Sequence, residues 1–357
     1  MTNLDRLRIA MAEAGIPALI VSDLGSVNWL TGFTGTFGIA VVSGDAAQFI
    51  TDSRYAIQAG EQVKDMPHSW FQSPVNGDEY LAQKIKEMGI QRIGFEGASV
   101  TYANFERWRD KLAGIELYGA PDLVSDLRMV KNESEIDRVR AACGIADACF
   151  EHVQRLIQPG VTEYDINLDI EFFIRRQGAE IAFPPIVVSG ERSARPHGKA
   201  SEKKLEVGDF LTMDFGAKVE GYCSDITRTV VVGEATDRHR EIYNQVLKAE
   251  VECINAIKPG VRAADVDTLA RTILDEKGLA QYFGHGLGHG LGALVHDAGR
   301  MNKTSQNVFE PGQIWTVEPG VYIPGFGGVR IEDDVLVTEN GVEILTKSPK
   351  DLLVLPA

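Results

Sequence analysis

The residues in this 357-residue chain best suited to chemistry are acidic, and they recur in pairs. Asp214 lies in FLTMDFG and Glu318 in IWTVEPG, both apolar, strand-like contexts in which a lone ionised carboxylate is costly to bury. Asp225 follows in YCSDITRTVVV and Glu332 in VRIEDDVLVT, each on a second strand-like segment. Four carboxylates converging on one place would raise each other's pKa, and divalent metal with oxygen ligands relieves that repulsion. The competing reading leaves Asp214 and Asp225 as edge-strand residues facing water. Histidine adds a second signal: of seven, His285, His289 and His296 cluster in FGHGLGHGLGALVHD, and His197 sits in SARPHG. A lone histidine is ordinarily a solvated or core residue, but glycines here let the backbone approach a site closely and the imidazoles reach in. The match to GxGxx(G/A) from Gly288 to Ala293 is not a dinucleotide loop, because no apolar strand leads into it and imidazole interrupts the turn. GFTGTFG likewise lacks the lysine and the spacing of a phosphate loop.

The elements that must position these side chains are duplicated. IQPGVTEYDINLDIEFFIRRQG begins at Ile157, and IKPGVRAADVDTLARTILDEKG begins 100 residues later at Ile257. Both open with a Pro-Gly turn, carry an acid at the same position (Asp165, Asp265), read as a helix and end in glycine. EVGDFLTMDFG at Glu206 returns as EPGQIWTVEPG at Glu310, 104 residues on, which sets Asp214 opposite Glu318. Each half therefore reads helix, helix, strand, strand, the pattern of a duplicated domain closing around a pseudo-twofold axis.

The first third differs. A helix with Leu4, Leu7 and Met11 on one face is followed by strand signals near residues 17–22, 38–43, 48–51 and 92–96, and by helices around 78–87 and 104–112, an α/β layout. A long helix starts near Glu133, and the boundary is expected near residue 125. The formal charge of -15 repels phosphate backbones and anionic lipid, which argues against nucleic acid or membrane as partners. No apolar stretch is long enough to span a bilayer, and the N-terminus lacks the regions of a secretory signal. The four cysteines, Cys143, Cys149, Cys223 and Cys253, form no CxxC pair, which fits a reducing compartment and a cytoplasmic location. Cys223, two residues before Asp225, reads as packing.

The set MDFG, SDITRT, GHGLGHGLG, TVEPGVY and RIEDD resembles the pita-bread metallopeptidases, which include methionine aminopeptidase, aminopeptidase P and prolidase. The resemblance runs from about residue 125 to the C-terminus. VNWLTGF, ITDSRYAIQA and the linker LRMVKNESEI are similar to the creatinase-type N-terminal domain of the Xaa-Pro branch. The implied fold is an α/β domain over residues 1–125 and an α+β pita-bread catalytic domain, internally duplicated, over residues 126–357. The resemblance also implies five metal ligands, Asp214, Asp225, His289, Glu318 and Glu332, around two divalent ions, usually manganese, with cobalt or zinc as alternatives. Pseudo-symmetry suggests that Asp225 and Glu332 are shared between the ions.

By the same resemblance Glu318 doubles as the proton shuttle, and His296 and His197 face the substrate. His285, Tyr322 and Arg330 match residues that line or brace the pocket, with a purely structural role as the other reading. The activity implied is hydrolysis of the Xaa-Pro bond at peptide N-termini by a metal-activated water. An Xaa-Pro dipeptidase is the alternative, because Arg300, four residues after His296, matches an arginine that holds a dipeptide's free carboxylate in some prolidases; a surface arginine is its bland reading. A creatinase-like hydrolase or a silent binding module would lack some of the five ligands. The first domain implies at least a homodimer, with Trp29 or Arg54 reaching a neighbour's pocket.

Overall fold

The all-buried run Ala18–Val21 forms the centre of the first of two units into which the computed structural model divides, Met1–Arg128 and the chain from Met129 on. Residues 1–356 are described. In the first unit this strand pairs antiparallel with Ile39–Ser43 and parallel with Arg92–Glu96. Ala47–Asp52, His68–Phe71 and Glu116–Ala120 complete a six-stranded sheet. Burial on both faces explains the uninterrupted apolar run. Thr2 and Asp5 form a capping box that starts the first helix, Asn3–Glu13, whose Leu4, Leu7 and Met11 are buried. The helix Leu24–Thr31 lacks the single apolar face at helical spacing that would have announced it, and it overturns one expectation. Trp29 is only 4% exposed, packed in this unit's core, so its ring is not presented to a neighbouring copy. Arg54 is exposed and grips Asp52.

The second unit carries out the duplication. Its first half has helices Glu133–Val153 and Glu163–Arg176 and strands Ile186–Ser189, Phe210–Phe215 and Ile226–Val232. The second half repeats this with helices Asp237–Ala256 and Ala263–Asp275 and strands Gly288–Gly290, Ile314–Val317 and Asp333–Val337. A hairpin follows the first of the paired carboxylates in both halves, Ala217–Val219 with Tyr222–Cys223 in the first and the longer Gly320–Ile323 with Gly327–Arg330 in the second. The Pro-Gly turns are held by Gly160 and Gly260 at φ of 93° and 85°, a conformation that strains any side chain. The repeated acids prove to be helix-start residues. Asp165 closes a capping box with Thr162, and Asp265 pairs with Arg262. Ile166, Ile170 and Ile174 in one half, and Val266, Ala270 and Leu274 in the other, are buried at helical spacing, so each helix closes an apolar core against its own sheet.

The halves meet where Thr227 bridges to Glu332, with the Glu332 amide donating to the Thr227 carbonyl at 3.1 Å. Next to this seam the buried Arg228 donates to the Glu332 carbonyl (2.6 Å), Asp333 Oδ1 (2.7 Å) and the Ser348 carbonyl (2.8 Å). Lys350 Nζ also pairs with Asp333, at 2.7 Å. Removing Arg228 leaves Asp333 with only the half-buried Lys350 as counter-charge and orphans the Glu332 and Ser348 carbonyls, so Arg228→Met is expected to lower unfolding free energy by roughly 3–5 kcal/mol. Urea denaturation measures this, and a loss under about 1 kcal/mol, the range of surface pairs, would contradict a stabilising role for Arg228 at the seam.

Candidate active site

Each of the five expected ligands lies in a strand or within two residues of one. Asp214 lies within Phe210–Phe215, and its register partner is Thr227. Asp225 immediately precedes Ile226–Val232, Glu318 follows Ile314–Val317, and Glu332 falls between the Gly327–Arg330 and Asp333–Val337 strands. His289 is in Gly288–Gly290. One ligand atom each from Asp225, His289 and Glu332 lie within 4.8 Å of one another. His289 Nε2 is 3.7 Å from Asp225 Oδ2 and 3.6 Å from Glu318 Oε1. Its Nδ1 is 3.1 Å from the Gly290 carbonyl. A proton assigned to Nδ1 therefore leaves the Nε2 lone pair aimed at the carboxylates. Asp214 joins through Arg330, whose Nη2 is 2.5 Å from Asp214 Oδ2.

The electrostatics show an excess of negative charge. Burial, then the charges of Glu332 and Asp214, push the Asp225 carboxyl well above its usual range. Burial and Glu332 do the same to Glu318. Glu332 is pushed up to about 8 by burial and by Asp214, against the opposing pull of Arg330 and a hydrogen bond from Thr227. Asp214 Oδ1 and Asp225 Oδ1 are buried without a hydrogen-bond partner. Orphaned carboxylate oxygens beside a neutral imidazole form a donor set that fits divalent cations.

The other expected residues fall into two groups. His285, Tyr322 and Arg330 form one hydrogen-bonded row. His285 Nδ1 is 2.8 Å from the Gly286 carbonyl and Nε2 is 2.9 Å from the Tyr322 hydroxyl, which accepts from Arg330 Nη1 at 2.7 Å. This row ends on Asp214, so it braces the carboxylates. His197, His296 and Arg300, together with His285 and Arg330 of the row, line a cavity of about 310 Å³ that opens on the same carboxylates, with Phe183, Ile186 and Met301 as apolar wall. The His296 ring meets His289 edge-on at 4.5 Å between centroids. Arg300 Nη1 donates to the carbonyls of Asp297 and Gly299, and among the described residues its Nε–Nη2 edge has no partner.

Three supporting residues were not singled out from the sequence. Thr227 donates to Glu332 Oε2 at 2.5 Å and accepts from Arg330 Nε at 2.9 Å. Thr316 accepts from the His289 amide at 3.1 Å and lies 3.4 Å from Glu318 Oε1. Asp334 accepts from the Asp225 amide at 2.9 Å. The signal for the threonines was period two: each stands two residues from a carboxylate on the same strand run and so shares its face.

Comparison with known proteins agrees with this geometry. Residues 137–339 match the metallopeptidase family M24 and residues 3–130 the Creatinase/Prolidase N-terminal domain. The chain belongs to metallopeptidase family M24, a family that uses divalent metal, and it is a metallopeptidase with a creatinase-type N-terminal domain and a pita-bread catalytic domain. It is 36% identical to an Xaa-Pro dipeptidase of Pyrococcus horikoshii over 96% of both chains. The structure of an Xaa-Pro dipeptidase from Bacillus anthracis superposes with a TM-score of 0.94 at 46% identity, covering 99% of each chain. That of an X-Pro aminopeptidase from Thermotoga maritima gives 0.89 at 36% identity, covering 97% of this chain and 99% of the other. No helix among the described residues is long and apolar enough to cross a membrane.

Burial holds His289 down at about 3, and burial with the Arg330 charge holds His285 at about 4. In metal-free protein neither ring is therefore expected to titrate between about pH 8 and about pH 5.5, where an unperturbed histidine would. Imidazole NMR shifts check this, and a midpoint near 6.5 for either ring would contradict the buried, neutral assignment.

Proposed function

We propose that this protein is an Xaa-Pro dipeptidase using two divalent metal ions, manganese foremost. The observation that carries the substrate length is Arg300, which lines the cavity that holds the carboxylate cluster and whose Nε–Nη2 edge has no partner among the described residues. A planar guanidinium edge pairs a carboxylate through two parallel hydrogen bonds, and only a dipeptide presents its free C-terminus one residue beyond the scissile bond. The sequence alone put the aminopeptidase reading first; the dipeptidase names of relatives matched over nearly their whole length favour the second. Aminopeptidase action on longer Xaa-Pro peptides keeps the support of the Thermotoga maritima structure.

Asp214, Asp225, His289, Glu318 and Glu332 would hold the ions. When bound, such a pair lowers the pKa of water toward neutrality and polarises the scissile carbonyl. The chain's own groups do the rest. The Glu318 carboxylate takes a proton from the attacking water and delivers it to the proline nitrogen as the C–N bond breaks, yielding a free carboxylate and a secondary amine. An Xaa-Pro bond has no N–H to offer, so recognition falls to shape and to the substrate carbonyl, which His296 and His197 contact from the cavity wall. Arg300 fixes the far carboxylate, and Phe183, Ile186 and Met301 exclude water around the ring. The same reading makes residues 1–125 the N-terminal domain and 126–357 the catalytic domain of a cytoplasmic homodimer.

Chelator-treated protein is expected to lose hydrolysis of Ala-Pro and to recover it with manganese, while Ala-Pro-Ala is cleaved poorly. No metal-dependent cleavage of either peptide would overturn the peptidase reading, and preference for the tripeptide would overturn the dipeptidase. Glu332→Ala should abolish turnover and bound metal together. Arg300→Met should raise KM for Ala-Pro by about tenfold to a hundredfold, the worth of a charge-assisted contact, with little effect on Ala-Pro-Ala.

A further inference from the structure

Two buried ion pairs outside the carboxylate cluster face the segments that deliver histidines to the cavity. In the first half Glu163, fully buried at the start of its helix, gathers both ends of the 189–201 segment. Its carboxylate accepts from the Ser189 amide at 2.7 Å and hydroxyl at 3.0 Å, from the Ser201 hydroxyl at 2.7 Å, and from Arg192 Nε at 3.1 and 3.2 Å. The same guanidinium reaches on to the Lys199 carbonyl at 2.6 Å, two residues beyond His197. In the second half Asp267, also fully buried, accepts from Arg271 Nε at 2.8 Å and from the Leu287 amide at 3.1 Å. Arg271 then donates to the carbonyls of Phe283 at 2.9 Å and His285 at 2.6 Å, and its guanidinium lies 4.4 Å from the Phe283 ring centroid.

The two devices are not copies of one another. Glu163 corresponds to Ala263 in the repeat and Asp267 to Asn167, and the arginine comes from the loop in one half and from the helix in the other. Arrival at the same contact by different residues is not something the duplication imposes. In both, one guanidinium spans a buried carboxylate and a loop carbonyl at or near a cavity histidine. Arginine alone has the fork for that; a lysine ammonium at either position keeps the ion pair but not the bridge.

We propose that Arg192 and Arg271 are positioning residues, the first clamped from its loop on Glu163 of the helix behind it and the second clamped on Asp267 of its own helix, that fix the segments presenting His197 and His285 to the cavity. Their kinetic role rests on the Xaa-Pro peptidase reading; their mechanical role does not. Two measurements on the full-length chain separate these. Hydrogen exchange on metal-free Arg192→Met should accelerate at amides 195–199 while the Glu163–Arg176 helix stays protected, and on Arg271→Met at 283–287. Unchanged exchange in these segments, or loss of protection throughout the helix, would overturn the clamp.

With manganese-loaded enzyme and Ala-Pro, Arg192→Met should raise KM about tenfold with kcat within about twofold, and add nothing in a His197→Ala background, the signature of action through that histidine. Arg271→Met should be equally silent in a His285→Ala background. Arg192→Lys and Arg271→Lys should restore the melting temperature without restoring KM. Additive double variants, or lysine rescuing KM together with stability, would refute positioning; wild-type enzyme inactive on all proline peptides would refute the peptidase reading and leave the exchange result to decide the clamp.

Discussion

Repulsion among carboxylates at the seam between two half-domains is the constraint on which the rest of the catalytic unit depends. Asp225, Glu318 and Glu332 are driven toward protonation by burial and by neighbouring carboxylates, Asp214 among them, and in water the same groups would simply separate. They are kept together by strand register, by Thr227 across the seam and by Arg330 against Asp214. The fold thus stores an uncompensated negative charge that cations relieve, and metal affinity and fold stability are coupled through the same side chains.

The duplication supplies that charge but not its asymmetry. Gly288–Gly290 lies against Ile314–Val317 as Ile186–Ser189 lies against Phe210–Phe215. On that register the counterpart of His289 is the buried Val188. Imidazole therefore reaches the cluster from one half only, while Arg330, from the longer hairpin of that same half, crosses to the carboxylate of the other. Two near-equal halves become one unequal site, with a bracing row on the Asp214 side and an open cavity beside His289.

Much of this was legible in the sequence. Repeats with matched turns, capping acids and carboxylates could be aligned without structure, because a repeated backbone needs the same glycine conformations and helix starts each time. The helix Leu24–Thr31 was not legible: seven of its eight side chains are apolar, small or Thr, six of the eight residues are buried, and no single face stands out. That same burial removed Trp29 from any surface role. Thr227, Thr316 and Asp334 went unnoticed because a hydroxyl or a second carboxylate beside a ligand has no type signature of its own; only a partner at hydrogen-bond distance gives it meaning.

The sequence by itself determined the α/β first third, the duplication and its paired carboxylates, since these rest on residue types repeated at fixed local spacing, while the family resemblance carried by its motifs supplied the pita-bread architecture and the class of chemistry. Substrate length was beyond it. Arg300 reads identically as a surface or a binding residue until the fold shows that it lines the cavity and which of its nitrogens is spent on the backbone. The same holds for Arg192 and Arg271, whose partners are main-chain carbonyls. A carbonyl belongs to every residue alike, so only tertiary structure, by bringing particular ones within reach of a particular guanidinium, could decide which segments are held.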